Sequence, residues 1–329
     1  MKIRILSAKD VRQALPMAEA IEGMKQAFAQ LSTGQAVVPL RGRVDVAPQQ
    51  GTTLTMPAFL SKSNDLAVKV VSIFPKNGAR FEPTIYAAVL VLDAETGRPL
   101  ALLEGGALTA IRTGAGAGAA TDLLANPDAS VVAILGSGVQ ARTQLEAVCT
   151  IRQVREVRVY SPTHEHAVDF ARELRGVGPI PKLIRIMSNV ETAVRGAEII
   201  CTATTSSNPV FKNEDLSLGV HINGVGSYTP AMQEIDAATV QRALVVVDSR
   251  EAAWEEAGDL IVPLQDGLIT KDHVHAELGE IVAGLKPGRT SPEQITFFKS
   301  VGVAVQDAIA GRIALENAIE HDLGMEVDF

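Results

Sequence analysis

The sequence is poor in the features that mark a secreted, metal-binding or membrane-spanning chain. Its two cysteines, Cys149 and Cys201, lie in apolar segments without the spacing of metal ligands, so neither a disulfide framework nor a zinc site is predicted. No apolar run approaches the roughly 18 residues of a transmembrane helix. The first six residues alternate polar and apolar side chains, which is typical of a strand and not of a signal peptide. We therefore expect a cytoplasmic protein with no metal site.

An excess of positive charge is also missing. The chain has 30 Lys and Arg residues against 38 Asp and Glu residues, a formal net charge of −8, and the basic residues are scattered. This distribution provides no basic surface to hold a nucleic acid or an anionic membrane. A small molecule is the expected partner.

The 329 residues suffice for two domains, and the first is predicted to span residues 1–127. A helical region that begins after Ser7 precedes four strand-like stretches, 37–46, 52–57, 66–74 and 85–93, which are separated by Gly, Pro and Asn. This pattern predicts an α+β domain with an antiparallel or mixed sheet and helices on one side. A helix rich in Gly and Ala, 108–124, follows, and its small side chains indicate close approach to another backbone or to a ligand.

The pattern changes in the second domain, predicted over residues 128–302. Short apolar strands alternate with helices, a pattern that predicts a doubly wound parallel sheet of the Rossmann type and an α/β fold class for the chain. The strands are expected at 131–135, 156–160, 198–201, 221–225 and 243–247. Residues 297–319 are predicted as one long helix, and 303–329 as a C-terminal helix that returns to the first domain.

A glycine-rich loop provides the clearest functional signal. Gly136, Ser137, Gly138, Val139 and Gln140 directly follow the apolar strand 131–135 and open a predicted helix. In a βαβ unit, the first glycine permits the tight turn, the second lets a pyrophosphate approach the backbone, and the helix N-terminus favours the phosphate charge. The alternative is an ordinary glycine turn. The context favours a dinucleotide site.

The residues after the second Rossmann strand bear on the choice of cofactor. Tyr160 is followed by Ser161, Pro162, Thr163 and His164, with no acid to bind a ribose 2′-hydroxyl. The hydroxyls of Ser161 and Thr163 could accept a 2′-phosphate, although the loop lacks an arginine to pair with it. The sequence weakly favours NADP(H) over NAD(H) and leaves both open.

Two cations in unusual settings are candidate substrate-binding residues. Lys69 lies among aliphatic residues in the stretch 66–73, and burial of an unpaired ammonium is costly. Either it reaches solvent at a sheet edge or it points into a site that holds an anion. Arg112, near the start of the small-residue helix, is either a bidentate clamp for a carboxylate or part of a surface ion pair. Arg41 alone is less informative.

Taken together, motifs along nearly the whole chain resemble the ornithine cyclodeaminase and mu-crystallin family. They comprise Arg41, Met56-Pro57-Ala58, Lys69, Thr109-Ala110-Ile111-Arg112-Thr113, the glycine loop 136–141, Thr202-Ala203-Thr204-Thr205, Asn223-Gly224-Val225-Gly226, Asp248-Ser249-Arg250-Glu251-Ala252, Ala276-Glu277-Leu278-Gly279-Glu280 and Phe298-Lys299-Ser300.

This resemblance implies a homodimer built through the first domain and a nicotinamide cofactor that acts on a small imino or amino acid. The family positions that match Arg41, Lys69 and Arg112 hold the substrate carboxylate or serve acid–base chemistry. The implied cofactor-lining residues are Thr84, Thr113, Thr202, Val225, Gly226 and Ser300, in addition to the glycine loop.

One position distinguishes the branches of the family. In this family, the cyclodeaminases and related alanine dehydrogenases have a motif similar to Gly-Gly-Asp-x-Pro or Gly-Ala-Asp-x-Pro. At the matching position, this chain has Gly226-Ser227-Tyr228-Thr229-Pro230. Absence of the aspartate favours the branch that reduces cyclic ketimines such as Δ1-pyrroline-2-carboxylate. Lys69, Arg112 and Tyr228 are the predicted catalytic residues, and Lys69, Tyr228 or a water is the proton donor. The alternatives are a cyclodeaminase, an alanine dehydrogenase-like enzyme and a non-catalytic dinucleotide-binding protein.

Overall fold

The computed structural model describes residues 1–328. Its strands are β1 Lys2–Leu6, β2 Ala36–Val37, β3 Gly42–Val46, β4 Gly51–Leu60, β5 Asp65–Ile73, β6 Ile85–Asp93, β7 Pro99–Glu104, β8 Val131–Leu135, β9 Glu156–Tyr160, β10 Ile184–Ile186, β11 Ile199–Thr202, β12 His221–Gly224, β13 Leu244–Val247, β14 Val274–Glu277, β15 Thr296–Lys299 and β16 Met325–Asp328.

The α-helices are α1 Ala8–Ala14, α2 Met17–Ser32, α3 Gly105–Leu124, α4 Val139–Ile151, α5 His164–Leu174, α6 Val190–Val194, α7 Ala237–Arg242, α8 Arg250–Glu256, α9 Gly258–Gln265, α10 Leu278–Val282 and α11 Ala304–Glu320. None of the helices within residues 1–328 is long and apolar enough to cross a membrane.

The chain divides into two compact units, residues 1–112 with 303–329, and residues 113–302. The first boundary falls inside α3, because the C-terminal half of this helix packs within the second unit. There, the side chain of Asn223 donates to Oγ1 of Thr121 at 2.9 Å.

The first unit is built on a mixed sheet. The strand order is β16-β1-β7-β6-β5-β4-β2, and β3 pairs with β4. Only β1 and β7 run parallel; the other neighbours are antiparallel. Helix α11 packs on β4, β5 and β6 and contacts α1 and α2. Helix α1 begins directly after Ser7, as predicted, and Ser7 caps it, since its Oγ accepts from the backbone N of Asp10 at 3.3 Å.

The second unit contains the doubly wound sheet that the sequence predicts. Its eight strands are parallel and follow the order β10-β9-β8-β11-β12-β15-β13-β14. Alternate residues of β8 face two different cores: Ala133 and Leu135 belong to one buried cluster, Val132 and Ile134 to the other. Because all eight strands are parallel, their carboxyl ends lie at one edge of the sheet, where ligands of such folds bind.

Three sequence-based predictions about local structure were wrong. Residues 303–329 are not helical throughout, because Met325–Asp328 forms β16, which pairs with β1. Residues 297–319 are not one helix, because Thr296–Lys299 forms β15 between β12 and β13, and α11 begins only at Ala304. A fully buried parallel strand is a continuous apolar run, which periodicity cannot distinguish from a buried helix. The stretch 37–46 is likewise divided into β2 and β3, since Pro39 interrupts it.

Candidate active site

The glycine loop lies at the carboxyl end of β8 and leads into α4. Gly136 has φ +106°, and a Cβ there would lie 2.5 Å from the carbonyl oxygen of Ala203, so only glycine fits this turn. Gly138 has φ −77° as the N-cap of α4, and a Cβ there would meet nothing within 4 Å. The open space above Gly138 and the free N–H groups of α4 fit a dinucleotide pyrophosphate.

The other predicted cofactor residues of the second unit gather along the same edge. Thr202 ends β11, Val225 and Gly226 follow β12, and Ser300 follows β15. The side chain of Ser300 is held in place by Asp248, because its Oγ donates to Oδ2 of Asp248 at 2.8 Å. Thr113 is half-buried in α3. The neighbouring Gly114 shows why this helix has small residues: a Cβ at Gly114 would lie 2.5 Å from the carbonyl oxygen of Thr143, so the helix packs against α4 too closely for a side chain here.

Ser161 and Thr163 follow β9, as predicted, and Oγ of Ser137 donates to Oγ of Ser161 at 3.1 Å. The loop after β9 has no arginine, but Arg142 lies close to the glycine loop. Arg142, in the first turn of α4, donates to the carbonyl oxygens of Ser137 and Gly138 and pairs with Glu173. Its guanidinium thus stabilises the loop conformation.

Lys69 lies in β5, a central strand of the first unit's sheet, so the interpretation that it reaches solvent at a sheet edge was wrong. The period of two along β5 puts it on the same face as Asp65 and Ala67, against α11. Its side chain is 3% exposed, and Nζ lies 2.6 Å from Oδ2 of Asp307 in α11.

Arg112 shares this carboxylate. Its Nε donates to Oδ1 of Asp307 at 3.2 Å, and its Nη1 donates to Oε1 of Gln306 at 2.8 Å. Arg112 is 5% exposed, so it is not part of a surface ion pair. Asp307 and Gln306 hold Nε and Nη1 of the guanidinium, and within residues 1–328 Nη2 has no partner. An unpartnered guanidinium nitrogen of this kind suits a carboxylate ligand.

Electrostatics set the protonation of Lys69. Burial lowers its pKa to about 8, the charges of Arg112 and Arg41 act in the same direction, and Asp307 opposes them. Arg41, half-buried just before β3, is therefore close enough for its charge to affect Lys69. Two cations around Lys69 with one carboxylate leave an excess of positive charge, which favours an anionic ligand.

The remaining predicted residues are Tyr228 and Thr84. Tyr228 lies in the loop after β12 and is 42% exposed; within residues 1–328 its hydroxyl has no hydrogen-bond partner. Thr84 is exposed in the first unit, immediately before β6. Their roles toward a ligand stay predictions.

Asp307 was missed in the sequence analysis, although a signal for it was present. It is the acid of the segment Val305-Gln306-Asp307-Ala308-Ile309-Ala310, which otherwise has small, apolar or amide side chains. A carboxylate inside such a helix is costly to bury unless a cation pairs with it. That argument links Asp307 to the cations Lys69 and Arg112.

Comparison with known proteins decides the family. The sequence profile of the ornithine cyclodeaminase/mu-crystallin family matches residues 1–322. The chain belongs to this family. The resemblance seen in the sequence is thereby confirmed, and so is the α/β fold with its Rossmann sheet.

Three relatives show how far the similarity extends. The Δ1-pyrroline-2-carboxylate reductase of Bacillus cereus is 40% identical over 326 residues, 99% of each chain. The ketimine reductase mu-crystallin of Mus musculus is 35% identical over 316 residues, 95% of this chain and 96% of that one. The structure of Thermococcus litoralis Δ1-pyrroline-2-carboxylate reductase in complex with NADH and L-proline is similar at a TM-score of 0.93 and 43% identity, over 99% of this chain and 100% of that one.

Proposed function

We propose that the protein reduces a cyclic ketimine carboxylate, such as Δ1-pyrroline-2-carboxylate, to the cyclic imino acid with NAD(P)H. The observation that carries this proposal is the buried group Lys69, Arg112 and Asp307, whose net positive charge suits a small carboxylate. The reductases reported above support the same reaction. The dinucleotide loop at Gly136 and Gly138 fits the cofactor.

Each residue of the first unit has a distinct task in this proposal. Nη2 of Arg112, which has no protein partner within residues 1–328, binds the substrate carboxylate, and Lys69 and Arg41 add charge. Asp307 orients both Arg112 and Lys69 through its two oxygens. The reduced nicotinamide supplies the hydride when it is bound. The protein's contribution is to hold the imine in a reactive orientation and to exclude water.

The imine nitrogen must receive a proton, and Lys69, Tyr228 or a water can donate it. A protonated phenol suits donation at neutral pH, because the ordinary pKa of tyrosine is near 10. The aspartate of the deaminating relatives suits the reverse task of taking a proton from an amine or water. Tyr228 therefore favours reduction over cyclodeamination or amino acid dehydrogenation, and Tyr228→Phe tests whether its hydroxyl takes part.

A substrate panel tests the proposed reaction and its finer details. Pyrroline, piperideine and sulfur-containing cyclic imine carboxylates are each assayed with NADPH and with NADH. We expect at least one imine to be reduced with both cofactors, and a higher kcat/KM with NADPH because residues 161–164, directly after β9, include no acid that would repel a 2′-phosphate. No turnover with any imine would refute the reductase proposal. A preference for NADH would refute the cofactor assignment alone.

The pH dependence of the reaction tests the role of Lys69. With a pKa of about 8, the ammonium is present below that pH and is lost above it, so kcat/KM falls as the pH rises through this value. Asp307→Asn removes the carboxylate that raises the pKa of Lys69, so the fall begins at a lower pH. Profiles of kcat/KM between about pH 6 and pH 10 measure this shift.

Asp65→Asn provides a matched control for this experiment. Asp65 also lies on β5 and pairs with α11, through Nε of Arg312 at 2.7 Å, but it does not contact Lys69 or Arg112. We expect this variant to be less stable and to keep the wild-type pH profile. Because titration of the substrate is common to all three proteins, an unshifted profile in Asp307→Asn would contradict the role given to Lys69.

We also propose that the protein is a cytoplasmic homodimer that pairs through its first unit. Several large apolar side chains of that unit are exposed, namely Val37, Leu40, Val44, Val70, Phe81, Ile85 and Tyr86. Surface of this kind is typical of a protein interface. Sedimentation equilibrium measures the assembly, and a monomer at micromolar concentration would refute the dimer.

A further inference from the structure

A buried acid, Glu234, joins two loops that carry predicted cofactor residues. Its Oε2 accepts from Oγ1 of Thr202 at 2.8 Å and from the backbone N of Gly226 at 2.8 Å. Its Oε1 accepts from the backbone N of Thr204 at 2.6 Å. Glu234 has no exposed surface. One carboxylate therefore fixes the segments that follow β11 and β12.

A second buried layer fixes Glu234 itself. Oδ1 of Asp259 accepts from the backbone N of Glu234 at 2.6 Å and from that of Ile235 at 2.9 Å. Oδ2 of Asp259 lies 3.0 Å from Nζ of Lys299, and both side chains are fully buried. Burial raises the pKa of Glu234, and the charge of Lys299 opposes that shift. Lys299 thus helps to keep Glu234 ionised, although desolvation disfavours the charged carboxylate.

The backbone around this network is packed too closely to adjust. A Cβ on Gly226 would lie 2.3 Å from both Oε1 of Glu234 and the carbonyl oxygen of Thr204. A Cβ on Gly258, at the start of α9, would lie 1.9 Å from the carbonyl oxygen of Met232. The loop between Gly226 and Glu234, which includes Tyr228, is therefore held at both ends.

We infer that Glu234 is a positioning residue for the dinucleotide, which holds Thr202, Thr204 and Gly226 in the conformation that binds the cofactor. This inference rests on the proposed function, because it assumes that these loops bind NAD(P)H. Without the carboxylate, two buried backbone N–H groups lose their acceptor, and the loops relax to find others. Binding of the cofactor must then restore the binding conformation, and the free energy this costs lowers the affinity for the cofactor.

Glu234→Gln tests the inference with little change of shape. An amide provides one oxygen, which Thr204 can keep, and directs an NH₂ group at the N–H of Gly226, so one donor is left without an acceptor. We expect the Kd for NADPH, measured by isothermal titration calorimetry, to rise about 10- to 100-fold. In steady-state assays the KM for NADPH rises, while the KM for the imine changes less than about two-fold, since its carboxylate binds to residues of the first unit.

The matched control is His221→Asn, at the opposite end of β12. His221 is equally buried and bonds to Thr296 at 2.9 Å and to Asn223 at 3.1 Å, but it contacts neither loop. The His221→Asn variant should have a lower Tm and the wild-type Kd for NADPH. A folded Glu234→Gln protein with the wild-type Kd would overturn the inference. A wild-type protein that binds no dinucleotide would instead overturn the proposed function.

A second variant decides the matter if Glu234→Gln does not fold. Glu234→Asp keeps the negative charge but shortens the side chain by one methylene, so its carboxylate cannot reach the loops after β11 and β12 together. We expect this variant to bind NADPH several-fold more weakly than the wild-type protein. A folded Glu234→Asp protein with the wild-type Kd would overturn the inference.

Discussion

Replacing Lys69 with Met lowers kcat/KM for the cyclic ketimine carboxylate by at least about 1,000-fold. The ammonium lies 2.6 Å from Asp307 and is buried in β5, so methionine removes a charge that solvent cannot replace. Within residues 1–328, Asp307 then keeps Arg112 as its only cationic partner and neutralises it more completely. Both effects weaken the attraction for a substrate carboxylate. Steady-state kinetics at saturating NADPH measure the loss.

Arg312→Met is the matched control for Lys69→Met. Arg312 of α11 pairs with Asp65 of β5, so this variant also breaks an ion pair between the same helix and the same strand. We expect it to lower Tm while kcat/KM per folded molecule stays within about two-fold of wild type. If Lys69→Met were destabilised to a similar degree yet fully active per folded molecule, Lys69 would be a structural residue.

Replacing Gly138 with Val raises the Kd for NAD(P)H at least about 100-fold and leaves the fold intact. Valine is allowed at φ −77°, and a Cβ at this position meets no atom within 4 Å. Its side chain enters the open space through which the pyrophosphate approaches the N–H groups of α4. Calorimetric titration with NADPH and a thermal melt measure the two properties separately.

Gly136→Ala provides the contrast to Gly138→Val. At φ +106°, with a Cβ 2.5 Å from the carbonyl oxygen of Ala203, alanine strains the turn itself. This variant should therefore lose stability as well as affinity. Unchanged cofactor affinity in folded Gly138→Val would show that the loop does not bind the pyrophosphate.

Much of the second unit could be predicted because its pattern is local. Strands β8 and β9 lie at the predicted positions, since β8 is a short apolar run, β9 alternates polar and apolar residues, and each is followed by a helix. The same reasoning failed for β15, whose apolar residues Phe297 and Phe298 stand close to a helix of similar composition. Only the pairing of β15 with β12 and β13 shows that it is a strand.

The site could be predicted in part. Lys69 and Arg112 stand out as cations in apolar or small-residue surroundings, but the pairing partner of each depends on contacts between distant parts of the chain. Asp307 comes from α11, which the sequence analysis placed inside a longer helix. Glu234 was overlooked because it becomes buried only through the fold, when the loops after β11 and β12 cover it.

The most direct test of the proposed function follows the absorbance of reduced nicotinamide while the enzyme acts on Δ1-pyrroline-2-carboxylate, with proline measured in the same sample. We expect one NADPH or NADH to be oxidised for each proline formed. We also expect ornithine with catalytic NAD to yield neither ammonia nor proline. Formation of both from ornithine, without net change in the nicotinamide absorbance, would refute the proposed reduction and identify a cyclodeaminase.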